Sequence, residues 1–368
     1  MLISSTNYSD IVKSIAEHVN GNAALISIAE HTEVDVSKLI QKLGQKKVRF
    51  MGGIFPRVIH DNQIFEKGIV INTLNHLESV NVIKNISKGQ LKIPDFHFAE
   101  DQEYSLLTYV DGLTANISNY LENLYEKYGM QTTYFGGGAG SLSLKQGPCV
   151  FTNDGLFEDA AVYCILKIRT KIGVSHGWKK VDGPFIVTKA EGNIIKEINW
   201  KKPFETYKEV VEKHSQQKFT PDNFFDIAKA YPFGILKDSS EHIVRDPLSV
   251  NEEGELVCVG ELENNMLIDI LDGNTGSLIK AAKNASKDAV GQTNSPKKAI
   301  IIDCISRILF LEDQFQVELD QITDAIKNNF PNLSIGGALT LGEISSYGDG
   351  FLEFYNKTVV IGLFEYED

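Results

Sequence analysis

Along this chain, short apolar runs alternate with stretches whose apolar residues recur every three or four positions, so strands are expected to exchange with amphipathic helices. A short helix is expected from Ser9 to Val19 and a buried strand from Ala23 to Ile28. Val36, Leu39, Ile40 and Leu43 then follow helical spacing, with Asp35 placed to cap. Val48 to Ile54 predicts a second strand, carrying Gly52-Gly53, and Gly68 to Thr73 a third.

The same order recurs twice. Leu106 to Val110 predicts a strand, and Ile117, Tyr120, Leu121, Leu124, Tyr125 and Tyr128 form one helix face. Thr132 to Phe135 leads into a glycine cluster, and Ala160 to Ile168 closes the unit. Near the C-terminus, Ala299 to Ile302 is followed by a helical stripe of Phe315, Leu319, Ile322 and Ile326. Ser334 and Ile335 then run into Gly336-Gly337, and Thr358 to Phe364 is the last strand. First strand and glycines are similarly spaced in each unit, from 25 to 52, from 107 to 136 and from 301 to 336.

A helical crossover favours parallel pairing of the first two strands, while the third can return antiparallel. The expected fold is therefore α/β (mixed α+β): layered mixed sheets packed together with helices outside, built from repeated strand-helix-strand-strand units. The region from Lys171 to Ser295 breaks the repeat. It predicts strands near Phe185 to Lys189 and Asn193 to Ile198, helices near Phe204 to His214 and Pro221 to Ala230, and short segments around Ile235, Ile243 and Leu256 to Val259. Ser286 to Lys298 reads as a polar surface loop.

At 368 residues, more than one core is expected. The net charge of −13, with no basic block, argues against nucleic acid or anionic lipid as a partner. Cys149, Cys164, Cys258 and Cys304 are scattered without a CxxC pair, which suits a reducing compartment. The N-terminus has no charged and apolar leader pattern, and no apolar run approaches the ~20 residues of a membrane span. A cytoplasmic protein without membrane insertion is expected.

The densest candidate site is the stretch from Tyr134 to Trp178. Gly136-Gly137-Gly138-Ala139-Gly140-Ser141 places four glycines in five residues, poor material for a strand interior or a helix. It is read as a loop approaching a small molecule, with His176 and Trp178 beside it. The cluster begins like GxGxxG, but Ser141 takes the sixth place and strand-like alternation follows. No GxSxG, HExxH or GxxxxGK[ST] is present, so nothing in the sequence calls for an enzyme. Arg307, just past an apolar strand, and Glu343, just past the third glycine pair, suit either a structural ion pair or a bidentate clamp on a ligand carboxylate.

These residues resemble the FIST family of sensory domains. Gly136 to Ser141 follows the family's GGxAGD with Ser141 replacing the acid, and Ser175-His176-Gly177-Trp178 matches SHGW. Val187 to Asn193, Pro203 with Tyr207, Tyr231 to Gly234 and Val244 to Pro247 match the following blocks. Cys304 with Arg307, Gly342-Glu343-Ile344 and Asn356-Lys357-Thr358 complete the order.

The resemblance implies a FIST N-terminal domain over 1–215 and a FIST C-terminal domain over 216–368, sensing a small, amino-acid-like ligand. The expected ligand-binding residues are Gly137, Gly138, Ser141, His176, Trp178, Arg307 and Glu343. With both ends used by the fold, the signal is expected to pass to a separate protein such as a histidine kinase, a cyclase or a chemotaxis component. A subgroup of the family implies a second reading, a haem-binding nitric-oxide sensor working with a histidine kinase, in which His176 is the axial ligand. An enzyme using the glycine loop as an anion cradle, or a scaffold without ligand, are the competing classes.

Overall fold

The computed structural model describes residues 1–236, 242–346 and 352–366. Its frame is three six-stranded sheets of one topology, each built around one of the predicted units. In the first, Ala23–Ala29 runs parallel to Phe50–Phe55 and antiparallel to Ile69–Leu74. Ser105–Asp111 pairs in the same way with Thr133–Ala139 and Ala160–Leu166, and Lys298–Cys304 with Ile335–Thr340 and Val359–Glu365.

Two further pieces complete each sheet, and neither is foreseen from periodicity. Beyond the third strand of each unit lies an added strand: Leu2–Ile3 in the first sheet, Leu77–Lys84 in the second and Arg169–Ser175 in the third. Beyond each glycine-bearing strand lies a pair of short strands lent by another unit. Arg57–His60 and Gln63–Phe65, from the first unit, extend the third sheet. Val150–Thr152 and Gly155–Phe157, from the second, extend the first sheet. Glu343–Ser346 and Leu352–Tyr355, from the third, extend the second sheet. The exchange is cyclic.

The expected glycine loop is corrected here: Gly136, Gly137 and Gly138 lie inside the strand Thr133–Ala139 and are buried. Strand entropy argues against such a run, but close backbone approach overrides it. One glycine of each pair faces the backbone of the neighbouring strand. A Cβ on Gly52 would lie 2.3 Å from the Ile26 carbonyl oxygen, on Gly136 1.8 Å from that of Thr108, and on Gly337 2.0 Å from that of Ile301. The other glycine admits the next sheet. A Cβ on Gly53 would meet Ala139, on Gly137 Ile302 and Thr340, and on Gly336 the amide of Asn72. The three contacts run round the molecule in a ring, so the glycine pairs set how closely the sheets close on one another.

Inside the ring lies one core to which all three sheets contribute, with Leu25 and Met51, Leu107 and Val162, Ile300 and Val360 among its members. The outer faces are covered by helices. Tyr8–Val19 and Val36–Gln45 cover the first sheet, and Ile117–Tyr128 covers the second. Thr275–Gly291, Ile305–Leu311 and Phe315–Lys327 cover the third. Val36–Gln45 starts where expected, with Asp35 accepting from the Lys38 amide.

The loop expected over Ser286 to Lys298 is corrected, since Thr275–Gly291 is helical through its first six residues. Asn274 and Ser277 form a capping box at its start. Its buried face is mostly alanine, which gives weak apolar contrast.

Between Arg169–Ser175 and this helix the chain builds a closed six-stranded barrel, in order Lys179–Glu191, Ile194–Ile198, Leu256–Val259, Ile243–Val250, Phe233–Ile235 and Leu267–Asp272. Closure removes its edges. Pro203–Ser215 and Phe224–Ala228 pack against it, Tyr207 being fully buried between Phe233 and the Phe224 ring. Both strands before residue 215 and four after it enter this one barrel.

Candidate functional site

Parallel strands with helical crossovers place their loops at the strands' C-terminal ends, where α/β proteins hold ligands. A cavity of ≈ 640 Å³ lies there. Gly112 and Leu113, following Ser105–Asp111, form one wall; Ile305 and Ser306, following Lys298–Cys304, form another; and Leu341 and Gly342, following Ile335–Thr340, a third. The barrel closes the far side with Leu248 and Cys258 to Glu261, and Leu142 and Leu144 stand half exposed at the rim. The cavity thus touches the repeated frame and the barrel together.

Its lining is mainly apolar, and among the described residues Glu261 is the only charged side chain there. Glu261 Oε1 accepts a hydrogen bond from the Asn116 amide at 2.6 Å. Cys258 and Cys304 also line the space, and burial pushes both thiols up, away from the reactive thiolate. Asn356 is 1% exposed, yet neither its side-chain amide nitrogen nor its oxygen has a hydrogen-bond partner among the described residues. An unsatisfied buried polar group costs roughly 1–3 kcal/mol.

Behind this wall the motif residues form a buried polar network. Arg307 spends all five donors: Nε on Glu318 Oε1 at 2.9 Å, Nη2 on Glu318 Oε2 at 2.5 Å and on the Leu278 carbonyl, and Nη1 on the carbonyls of His176 and Lys357. Burial works against the guanidinium charge, and the Glu318 carboxylate more than offsets it. Asp303, 3.5 Å from Arg307 Nε, is pushed well above the usual carboxylate range by burial and then by Glu318. Glu343 is likewise raised by burial, and bonds to Thr340, the Thr358 amide and the Cys304 thiol. Lys357, fully buried, pairs with Asp246 at 3.0 Å and lies 5.1 Å from the Trp178 ring centre.

The ion pair of Arg307 is therefore with Glu318, contrary to the Glu343 expected from the motifs. With no donor left, Arg307 has nothing to offer a ligand carboxylate in this structure. Gly138 hydrogen-bonds Gly342 and Leu341 from behind the cavity wall, and Gly137 packs one layer deeper. Ser141 accepts from the Ser143 amide in a turn beside Leu142. None of the seven expected residues lines the cavity. Gly138, Arg307 and Glu343 lie behind its wall, and Ser141 stands in a turn near its rim, places that local motifs do not distinguish from the lining itself. Part of the lining sits at strand-to-helix junctions, and Asp111-Gly112 and Cys304-Ile305 could have been singled out on that ground.

His176 and Trp178 lie at a second recess of ≈ 320 Å³. His176 Nδ1 accepts the Trp178 amide at 2.9 Å, so the ring proton sits on Nε2, which has no partner among the described residues. Trp178 Nε1 donates to the Lys357 carbonyl, and its ring packs edge-on to Phe310 at 5.1 Å. Haem needs a flat apolar slot beside its axial ligand. Here the recess is small and lined by Ser175, Lys179, Ser277, Lys280 and Asn284, while the indole is already packed. A haem ligated by His176 does not fit. Among the described residues, no three His, Cys, Asp or Glu side chains are grouped to hold a metal ion.

Burial, then Arg307 and His242, lowers the His176 pKa from 6.5 to about 3. Unfolded histidine takes up a proton below 6.5 that the folded ring refuses until about 3, so the contribution to stability is complete above that range and lost as pH falls through it. By about pH 5 the loss is roughly 2 kcal/mol. His176→Asn keeps an acceptor for Trp178 but does not titrate. The stability gap between wild type and variant is expected to narrow by that amount between about pH 7 and about pH 5 in urea melts.

No helix among the described residues is long and apolar enough to cross a membrane. No curated protein matches the chain. The FIST N domain matches residues 22–201 and the FIST C domain residues 203–346. FIST domains are small-ligand sensory domains of signal transduction. With the two matches covering most of its length, and with the motif residues gathered behind one cavity, the chain belongs to the FIST family.

Proposed function

We propose that this protein is a sensor whose small ligand binds in the ≈ 640 Å³ cavity between the repeated frame and the barrel. The observation that carries the reading is the unspent amide of Asn356 in the wall of a mainly apolar cavity. Pockets of this size that are mainly apolar, with a few polar groups, are typical of small-molecule sites. The ligand has an apolar body and a polar head. It is neutral or cationic, because Glu261 lines the wall and no Lys, Arg or His among the described residues does. An amino acid meets this description through its ammonium and side chain, but no cation among the described residues faces its carboxylate. An amino-acid amide suits the cavity better.

The protein acts in the cytoplasm, and occupancy is read out by a separate signalling protein of the histidine kinase, cyclase or chemotaxis type. Catalysis has little support, since both cavity thiols are held protonated by burial.

Leucine amide is expected to raise the melting temperature more than leucine does, in a panel of apolar amines, amides and free amino acids. Glu261→Gln should remove the preference for amines, and Ser118→Trp, at the wall, should abolish the shift. A panel in which leucine stabilises most, or in which the Ser118→Trp shift persists, overturns this assignment. Conversion of the ligand during incubation would favour an enzyme.

A further inference from the structure

The barrel carries an exposed tryptophan that the fold has no evident use for. Ile198 and Lys201 exchange backbone hydrogen bonds across a two-residue turn, at 3.1 and 3.0 Å. Both central residues are left-handed, Asn199 at φ 49° and Trp200 at φ 59°. Turns of this kind favour Asn followed by Gly, and a bulky side chain in the second place is strained. Trp200 sits there with 75% of its surface exposed. Backbone strain and an apolar surface in water both oppose this choice, and strain retained at one position points to function.

Neighbouring backbones carry the apolar surface onward. Trp200 donates its amide to Thr188 Oγ1 and Asn199 donates to the Ile186 carbonyl. Ile186 pairs with Leu267, whose carbonyl accepts from Leu236. Leu267 is 45% exposed and Leu236 50%. Lys201 and Lys202 follow Trp200, and Lys189 follows Thr188. All three are exposed and make no ion pair among the described residues, with Glu197 the acid opposite Lys189. In a chain of net charge −13, this gathers three lysines without an ion pair beside an apolar face, with Glu205, its amide bonded to the Lys202 carbonyl, the acid next along the chain.

We propose that this face docks a protein partner that offers an acidic rim around an apolar socket for the Trp200 indole. Exposed tryptophans are the residue type most often found as anchors of interfaces, and flanking charge steers the encounter. A bilayer is a poorer occupant, because anionic lipid repels the chain as a whole.

The test places p-benzoylphenylalanine at position 200 of the full chain in its own cells, followed by irradiation and sequencing of the adduct. The expected product is a crosslink to one other protein, at an Asp/Glu-rich segment with apolar residues. The yield should fall at least tenfold when Lys189, Lys201 and Lys202 are together replaced by Glu. Trp200→Gly should leave the melting temperature unchanged or raised while weakening binding of that partner at least tenfold. Adducts with lipid, with a second copy of this chain or with nothing overturn the proposal. So does a Trp200→Gly protein that melts early, which would show that the indole holds the barrel together.

Discussion

Arg307→Met is expected to cost about 3–5 kcal/mol, the loss typical of stranding one partner of a buried ion pair. Most domains have only 5–15 kcal/mol to lose. The variant would leave the Glu318 carboxylate buried and unpaired beside Asp303, and would remove the donors that the carbonyls of His176, Lys357 and Leu278 now accept. Those three carbonyls belong to the segment before the barrel, the last strands and a covering helix, so several elements loosen at once. Adding Glu318→Leu should recover much of the loss, because a buried pair exchanged for apolar groups is often neutral. Urea melts of the single and double variants check this. If Arg307→Met instead melts like wild type and only ligand binding fails, the guanidinium is a ligand clamp after all.

Gly136→Ala should destabilise by at least the 1–3 kcal/mol usual for overpacking, since its Cβ would sit 1.8 Å from the Thr108 carbonyl oxygen. The neighbouring strand carries the central core and cannot step aside. Gly337→Ala, with its Cβ 2.0 Å from the Ile301 oxygen, should behave alike. Gly44→Ala is the contrasting case. It lies in the helix Val36–Gln45 with nothing within 4 Å of the new Cβ, and should gain roughly 0.5–1 kcal/mol. Equal effects at the three positions in urea melts would mean that the glycine pairs do not set the spacing of the sheets.

Most central strands, and the helices Val36–Gln45, Ile117–Tyr128 and Phe315–Lys327, are legible in the sequence because their apolar residues recur at a recognisable period, whereas the alanine-rich face of Thr275–Gly291 is not. Gly52-Gly53, Gly136-Gly137 and Gly336-Gly337 also mark the repeat correctly, but their reason is not local. An isolated glycine run reads as a loop, and only the approach of Thr108 or Ile302 shows why a strand needs it. Arg57–His60 and Val150–Thr152 are too short for periodicity to register. Of the site, the motif residues Arg307, Glu343, Lys357 and Asp246 are all found in one buried polar network behind the cavity wall. The cavity itself belongs to junctions and barrel loops that meet only in space, so no spacing along the chain encodes it.

The cyclic loan of short strand pairs bears on how a nascent chain matures. The strand Phe50–Phe55 leaves the ribosome long before Val150–Thr152 arrives to cover its edge, and Thr133–Ala139 waits for Glu343–Ser346. Arg57–His60 emerges with no acceptor until Ile335–Thr340 is made. Pairings this distant in sequence are slow to form, and bare strand edges invite wrong partners meanwhile. The two family matches meet at residues 201 and 203, yet a chain released at that point would hold one uncovered sheet, one lent hairpin with nowhere to go and two barrel strands without their ring. Truncation at that boundary is expected to leave both parts incomplete, because the barrel and the second and third sheets draw strands from both sides of it.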